Sequence, residues 1–449
     1  MTFIKIIRFI LVLSIIVSAF FIQNKQTAIK AQERELENEL TIPVDCDTLS
    51  EALTRVAENG TVFLEERTKL VVNSPIEISK NVSVIGKGLL KSTVEFKDAG
   101  AIRVKIEDPD ASGIKPAEVS SNDEVKFPET VFNTKMNVVF RNINFEKEGK
   151  FNKTIDDEYE RLVQEKNVLI EHGVDSSISH EQIANEIVNY LADENSVNFL
   201  NRIKGDISRI LAEKKDYLLS IESGYVSVTD CALSNRNGVG ILVSGSNSCL
   251  VAENSVFGNN YVGGIFVQDS KMSARYCIFS KSLGSAIISE TSKIFLYFCK
   301  IKDSGQSGIH AVDDSVVGLV ETGVSGNICN GIRCDRGTTL YLSGGEFNNA
   351  TTLVRADAHC HINIEGAQFS QALVHLALSG HCNCIVVRSS LGNCRFTFEA
   401  QRHCVMTFEK KTMQIKVPDA PYDLGSTVLM PDEVDSPPVL TLLEEALSH

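Results

Sequence analysis

Apolar residues return every 22 to 24 positions from about residue 218 to residue 408, and they do so in three registers that keep one phase. The first runs Ile241, Ile265, Ile287, Ile309, Ile332, Val354, Leu376, Phe398. The second runs Val228, Ala252, Ala274, Leu296, Leu319, Leu342, Ile364, Val386, Phe408. The third runs Leu233, Phe257, Phe279, Ile301, Val324, Phe347, Phe369, Leu391. A fixed period of this size marks a solenoid, because one short repeat cannot bury its apolar face except against the next. Within each repeat apolar and polar residues alternate, as at Val226 and Val228 or Ile362 and Ile364, which predicts short strands with one face buried. Asn237-Gly238, Gly263-Gly264 and Ser307-Gly308 supply candidate bends between them.

The repeats carry neither helical periodicity nor the Leu-rich, Asn-fixed signature of leucine-rich repeats, so the expected object is an all-β solenoid with coils stacked in parallel. Near the N-terminus, Leu49, Leu53 and Val56 lie at helical spacing ahead of strands around residues 62–64, 70–72, 76–78 and 82–85. With these features the chain resembles the pectin-lyase-like superfamily of right-handed parallel β-helices, over residues 43–150 and 217–412. The resemblance implies that a short helix, here residues 48–57, caps the open end of the first coil and shields its strand edges.

Residues 151–216 interrupt the period. Ser179 and Gln182 open an amphipathic stretch through Ile183, Ile187 and Leu191; Phe199, Ile203, Ile207 and Leu211 outline another, and Tyr159, Leu162, Val163 and Lys166 a third that closes at Gly173. The segment reads as a helical insertion at one coil corner, of a kind that either carries function or decorates the surface. Residues 413–449 form an acidic tail containing Pro418, Pro421, Pro431, Pro437 and Pro438.

Residues 9–22 carry no charge, are apolar apart from Ser14 and Ser18, and follow Lys5 and Arg8. Two readings stand: residues 1–31 hold a signal peptide cut near Val17-Ser18-Ala19 with a linker, or residues 3–22 are an uncleaved membrane anchor. Both place the protein in the secreted or cell-surface compartment. The 449 residues include 58 acidic against 44 basic, for a net charge of -14, which argues against a nucleic-acid backbone as partner. Trp is absent, so any sugar-stacking platform has to use Tyr or Phe.

Twelve cysteines in an exported chain suggest disulfides, but their spacing suggests columns. Cys360, Cys382 and Cys404 align with Thr338, Ser315, Ser292 and Ser270, and Cys231, Cys277 and Cys299 align with Ser255 and Thr322. Small side chains stacked for packing are the expectation.

Candidate chemistry follows the first register. One and three residues beyond it, facing outward, stand Ile288 and Glu290, His310 and Val312, Arg333 and Asp335, Arg355 and Asp357, and Ala377 and Ser379. Arg333 and Arg355 can hold uronate or sulfate groups while a carboxylate or His310 removes a proton; alternatively the row is a ladder of diagonal ion pairs. His359, His381 and His403, with His361 nearby, form a second row able to converge on zinc or copper.

The resemblance also implies motifs that are mostly missing. Asp313-Asp314 matches a polygalacturonase-like Asp pair by letter, and Arg202-Ile203-Lys204 spells a further motif out of order in the insertion. The Asn-Thr-Asp, Gly-His-Gly and epimerase Asp-Pro-His motifs are absent. The leading reading is an exported noncatalytic binding or scaffold protein whose ladder faces contact an acidic polysaccharide or a protein. The alternative is a carbohydrate-active lyase or hydrolase working through Arg333, Asp335, Arg355, Asp357 and His310, and the sequence points to no particular cofactor.

Overall fold

The computed structural model describes residues 36–88, 91–107, 118–119, 125–126, 136–149, 153–174, 205–206, 208–210, 212–213, 215–392, 394–401, 404–408 and 427–429. Residues 1–31, the stretch from Ser179 to Leu191, Arg202-Ile203-Lys204, His403 and most of the acidic tail lie outside them.

Each of the three registers is one column of parallel strands. The second runs unbroken through Leu40, Val62, Val84, Phe140, Val228 and Ala252 to Phe408, every neighbouring pair facing across one coil step. The first and third are equally regular, from Ile241 to Phe398 and from Leu233 to Leu391. The result is a parallel β-solenoid of about 13 coils, and these columns are its core. Like residues one coil apart must stack, and the inner rings show it. Phe257 and Phe279 lie parallel with centroids 4.9 Å apart, and Phe347 and Phe369 at 5.1 Å, close to the ~4.8 Å separation of paired strands.

Helix α1 (Leu49–Arg55) is the expected cap. Thr48 accepts a hydrogen bond from the Glu51 amide at 3.1 Å, while Leu49, Ala52 and Leu53 turn into the core. A strand at Glu37–Ile42 precedes it and pairs with Val56–Leu64, which extends the solenoid one strand ahead of residue 43. Only Leu40 and Ile42 alternate there, too short a run to read from sequence.

The bends correct one expectation. Gly263-Gly264 and Ser307-Gly308 start strands instead of turning the chain. Their lack of a side chain serves close approach: a Cβ on Gly308 would stand 2.7 Å from the Gly331 carbonyl of the next coil. The bend from second to third column falls two residues beyond the second register, at Asn142, Asp230, Asn254, Tyr276, Phe298, Glu321, Gly344, Gly366 and Arg388. All of these hold φ between 45° and 73°. Gly is free there and Asn and Asp tolerate it, whereas a bulky L-residue is strained by roughly 1–2 kcal/mol.

The two cysteine columns line corners and are hydrogen-bonded ladders, a fuller role than the packing expected of them. Cys382 Sγ donates to the Ser379 carbonyl at 3.0 Å and accepts from the Cys360 amide at 3.3 Å. Ser315 does the same with Val312 and Ser292 (2.7 and 3.2 Å), and Ser255 with Glu253 and Cys231 (2.8 and 3.1 Å). Ser, Thr and Cys alternate freely because each offers one short donor and acceptor on Cβ. The described cysteines are free thiols, and burial pushes Cys231 up to about 11 and Cys249 up to about 12.

Candidate functional site

Strand alternation turns the residue after each first-register position outward, giving the row Leu242, Phe266, Ile288, His310, Arg333, Arg355. Its first three members are apolar and face away from the core, yet are only 5%, 4% and 7% exposed. The insertion covers them. Helix α2 (Lys153–Val174) lies along the flank, and its Tyr159 and Leu162, with Ile210 further along the insertion, share one apolar cluster with Leu242, Phe266, Ile288, Tyr261 and Leu283, against which Ile155 and Val163 also pack. Each such side chain removed from water contributes roughly 1.5–3 kcal/mol.

The helix and the coils share a repeat. Tyr159 donates through its hydroxyl to the Asp303 carbonyl, and Lys166 Nζ donates to the Asn349 carbonyl at 2.9 Å. Seven helical residues rise about 10.5 Å. Asp303 and Asn349 sit at equivalent bends two coils apart, about 9.6 Å. Further along, Leu169 and Ile170 meet Leu373. Lys166 is fully buried, and burial pushes its amine down to about 8; Asp303 nearby is pushed up by burial against the pull of Lys302, Lys166 and Lys281. Beyond α2, Tyr261 donates to Asp206 of the insertion at 2.6 Å.

Past Ile288 the row turns polar. The structure brings together His310, Arg333 and Asp335: Asp335 Oδ2 meets His310 Nε2 at 2.9 Å and Arg333 Nε at 2.8 Å. The contact between Arg and Asp runs along one strand, and His310 takes the diagonal that had been expected of an arginine. Asp335 is 7% exposed, and its Oδ1 receives no hydrogen bond from described protein groups. Burial works to raise its carboxyl, but the His310 hydrogen bond and the Arg333 charge outweigh it and hold the group below the usual carboxylate range. Arg355 stands opposite Arg333, and Asp357 opposite Asp335. Arg355 is exposed, and no ion pair joins it to Asp357 among the described residues. Glu290 accepts instead from Gln268 at 3.3 Å.

This arrangement offers a carboxylate-held imidazole beside two guanidinium groups, able to bind an anion or to move a proton. The other candidates sit elsewhere. His359 and His381 are exposed, stacked with ring centroids 5.2 Å apart and an interplanar angle of 5°, both at bend positions with positive φ. No cluster of three His, Cys, Asp or Glu suited to a metal occurs among the described residues. Asp313 is held by Arg336 in a two-pronged pair at another bend, so the Asp313-Asp314 match is a corner feature.

Sequence reasoning missed the roofing of the row by α2 and an exposed ring pair at Tyr276 and Phe298. The first had a signal in the outward apolar run Leu242, Phe266, Ile288. The second had one in two aromatics occupying the column of Asn254.

Residues 216–369 match the family described as right handed beta helix region. No curated protein matches the chain by sequence. Among solved structures, the catalytic unit of an alpha-1,3-glucanase from Streptomyces thermodiastaticus is 12% identical over 86% of this chain and 64% of its own, with a TM-score of 0.44. The Dettilon tailspike protein is 8% identical over 88% and 68%, TM-score 0.45. The A-module of a mannuronan C-5 epimerase from Azotobacter vinelandii is 12% identical over 82% and 91%, TM-score 0.35. The chain thus spans less than two thirds of the glucanase structure's length.

Proposed function

Taking the chain as a right-handed parallel β-helix protein, we propose that it is an exported, noncatalytic binding or scaffold protein that holds an anionic polymer through the outer row of its first sheet. The observation that carries this reading is that Asp335 is paired within the row, by Arg333 and His310, while the insertion covers the apolar members of the row. Arg355 is then the exposed guanidinium of the row with no ion pair among the described residues, and the Asp357 carboxylate stands two residues beyond it. Guanidinium groups one coil apart suit carboxylates or sulfates repeated along a chain. An acidic protein surface offers the same chemistry and is the alternative partner. Export rests on the apolar run at residues 9–22; no helix of the described residues is long and apolar enough to cross a membrane.

A second reading is favoured by one contact. His310 Nε2 on the Asp335 carboxylate is how an imidazole is oriented for proton transfer, so a lyase or hydrolase could abstract a proton here while Arg355 neutralises a uronate.

One experiment separates them. Purified protein is incubated with a panel of uronate and sulfated polymers, and both retention and new unsaturated or reducing ends are followed. Retention that falls with Arg355→Ala, with no new ends, supports the binding protein. New ends formed by the wild type and lost in His310→Ala establish the enzyme and overturn it.

A further inference from the structure

We propose that the outer face of the third column is a self-complementary surface, on which two copies of this chain pack about a two-fold axis lying along the strand Val256–Gly258. This face is a different side of the solenoid from the Arg333 and Arg355 row, and the proposal does not depend on how that row acts.

The first observation is what the face exposes. Residues on either side of the inward Leu233, Phe257 and Phe279 point outward, and they are apolar or small: Ala232, Val256 and Ile278 in one row, Ser234, Gly258 and Ser280 in the other. Val256 is 39% exposed. Tyr276 and Phe298, 52% and 48% exposed, border the face at the bend two residues before Ile278 and Lys300. Coil stacking does not demand apolar residues here, since the same rows take Asn144, Lys300 and Lys302 in neighbouring coils. Exposed apolar side chains grouped in this way mark contact surfaces, and aromatic residues are enriched at their centres. Helix α2, packed beyond the opposite bend on Leu242, Phe266 and Ile288, leaves Val256, Lys300 and Lys302 exposed.

The second observation is the order of the charges. Two coils before Val256 the outward rows carry Asn144 and Glu146, and two coils after it they carry Lys300 and Lys302. Four coils before it, in the row of Val256, stands Lys69, and four after it stands Glu346. A half-turn about the Val256–Gly258 strand exchanges the coils before it with those after it and keeps each row on itself. It therefore sets Glu146 of one copy against Lys302 of the second, Asn144 against Lys300, and Lys69 against Glu346, each of them twice. Val256 then meets its own equivalent, and Ile278 meets Ala232. Moving the axis one coil either way undoes this, because Lys302 would face Gly258 or Val71, and in the second case Lys69 would face Lys300. Glu146 and Lys302 form no ion pair among the described residues, while Lys69 already meets Glu95 at 3.1 Å and is a pair of the rim.

A pattern that is its own complement under a half-turn is what an isologous interface requires, and no other partner calls for it. From Lys69 to Glu346 the face runs about 38 Å along the solenoid and, with the bend, about 16 Å across. Two copies would bury on the order of 1,200 Å² in all, at the lower end for a specific interface. The dimer is accordingly one that dissociates on dilution.

The test is sedimentation velocity of the purified full-length protein over a range of concentrations at low and high salt, with thermal melts alongside. The wild type is expected to dimerise in roughly the micromolar range, and less readily in high salt. Val256→Lys, an exposed change that opposes two ammonium groups at the axis, should weaken the dimer by about a hundredfold or more. Glu146→Lys and Lys302→Glu each oppose like charges twice and should each weaken it by about tenfold. An equimolar mixture of those two variants restores opposite signs at both pairs and should dimerise within about threefold of the wild type, a recovery that misfolded chains would not show. The proposal is overturned by a wild type that stays monomeric at about 100 μM, which leaves the face to a different protein. A dimer that Val256→Lys does not weaken overturns it, as does a mixture that stays as monomeric as its parts. A trimer or larger assembly overturns it too, since a half-turn closes at two.

Discussion

Lys166 of helix α2 donates to the carbonyl of Asn349, 183 residues further along the chain, and does so with no exposure to solvent. A lone ammonium in such a place is held by one carbonyl and by the charge of Asp303 nearby. The helix therefore docks against an electrostatic cost, offset by the apolar contacts on either side.

That cost is dependent on pH. The amine sits at about 8 when docked and near 10.5 when free, so the undocked helix binds the proton more tightly. Docking strengthens as pH rises from about 8 towards 10.5 and stays at its lower level beneath 8, the full span being on the order of 3 kcal/mol. Hydrogen-exchange protection of the α2 amides should be greater at about pH 9.5 than at about 7.5 once intrinsic rates are divided out. Lys166→Met should abolish that difference and leave the helix at least as firmly docked. A pH dependence that survives in the methionine variant would remove Lys166 as its source.

The corner ladders make a different prediction. Cys382 closes its own turn and receives the amide of Cys360, so Cys382→Ser keeps both bonds and should change stability by less than about 1 kcal/mol. Cys382→Ala leaves the buried Cys360 amide without a partner, the Ser379 carbonyl keeping the Ala358 amide, and should cost roughly 1–3 kcal/mol, read from urea unfolding midpoints. Equal midpoints for the two variants would mean that the thiol only fills space.

Asp335 sets the acid limb. Its carboxyl lies below the ordinary 3.8 when folded, so the stability it contributes is complete above that value and is lost as pH falls through the lower, folded one. Asp335→Asn should cost roughly 1–3 kcal/mol near neutral pH by leaving Arg333 and His310 poorly matched. It should also flatten the fall of melting temperature below about pH 4. Parallel melting curves for variant and wild type through that range would show the three groups to be independent.

The sequence by itself determined the solenoid. Ile241, Ile265 and Ile287 and their counterparts recur at the coil length, and since each coil can bury its apolar face only on the next, period and alternation leave one way to stack them. The helical cap at Thr48, the outward placing of Arg333 and Asp335, and the alignment of the cysteines follow from that phase. Tertiary structure decided what lies sideways to it. That His310 rather than Arg355 reaches Asp335 depends on side-chain direction across a coil step. That Tyr159 and Lys166 both dock depends on a two-turn helical rise matching two coils, at the carbonyls of Asp303 and Asn349, which lie 144 and 183 residues along the chain from their donors. A repeat records what each coil shares with its neighbours, and these contacts are the ones the coils do not share.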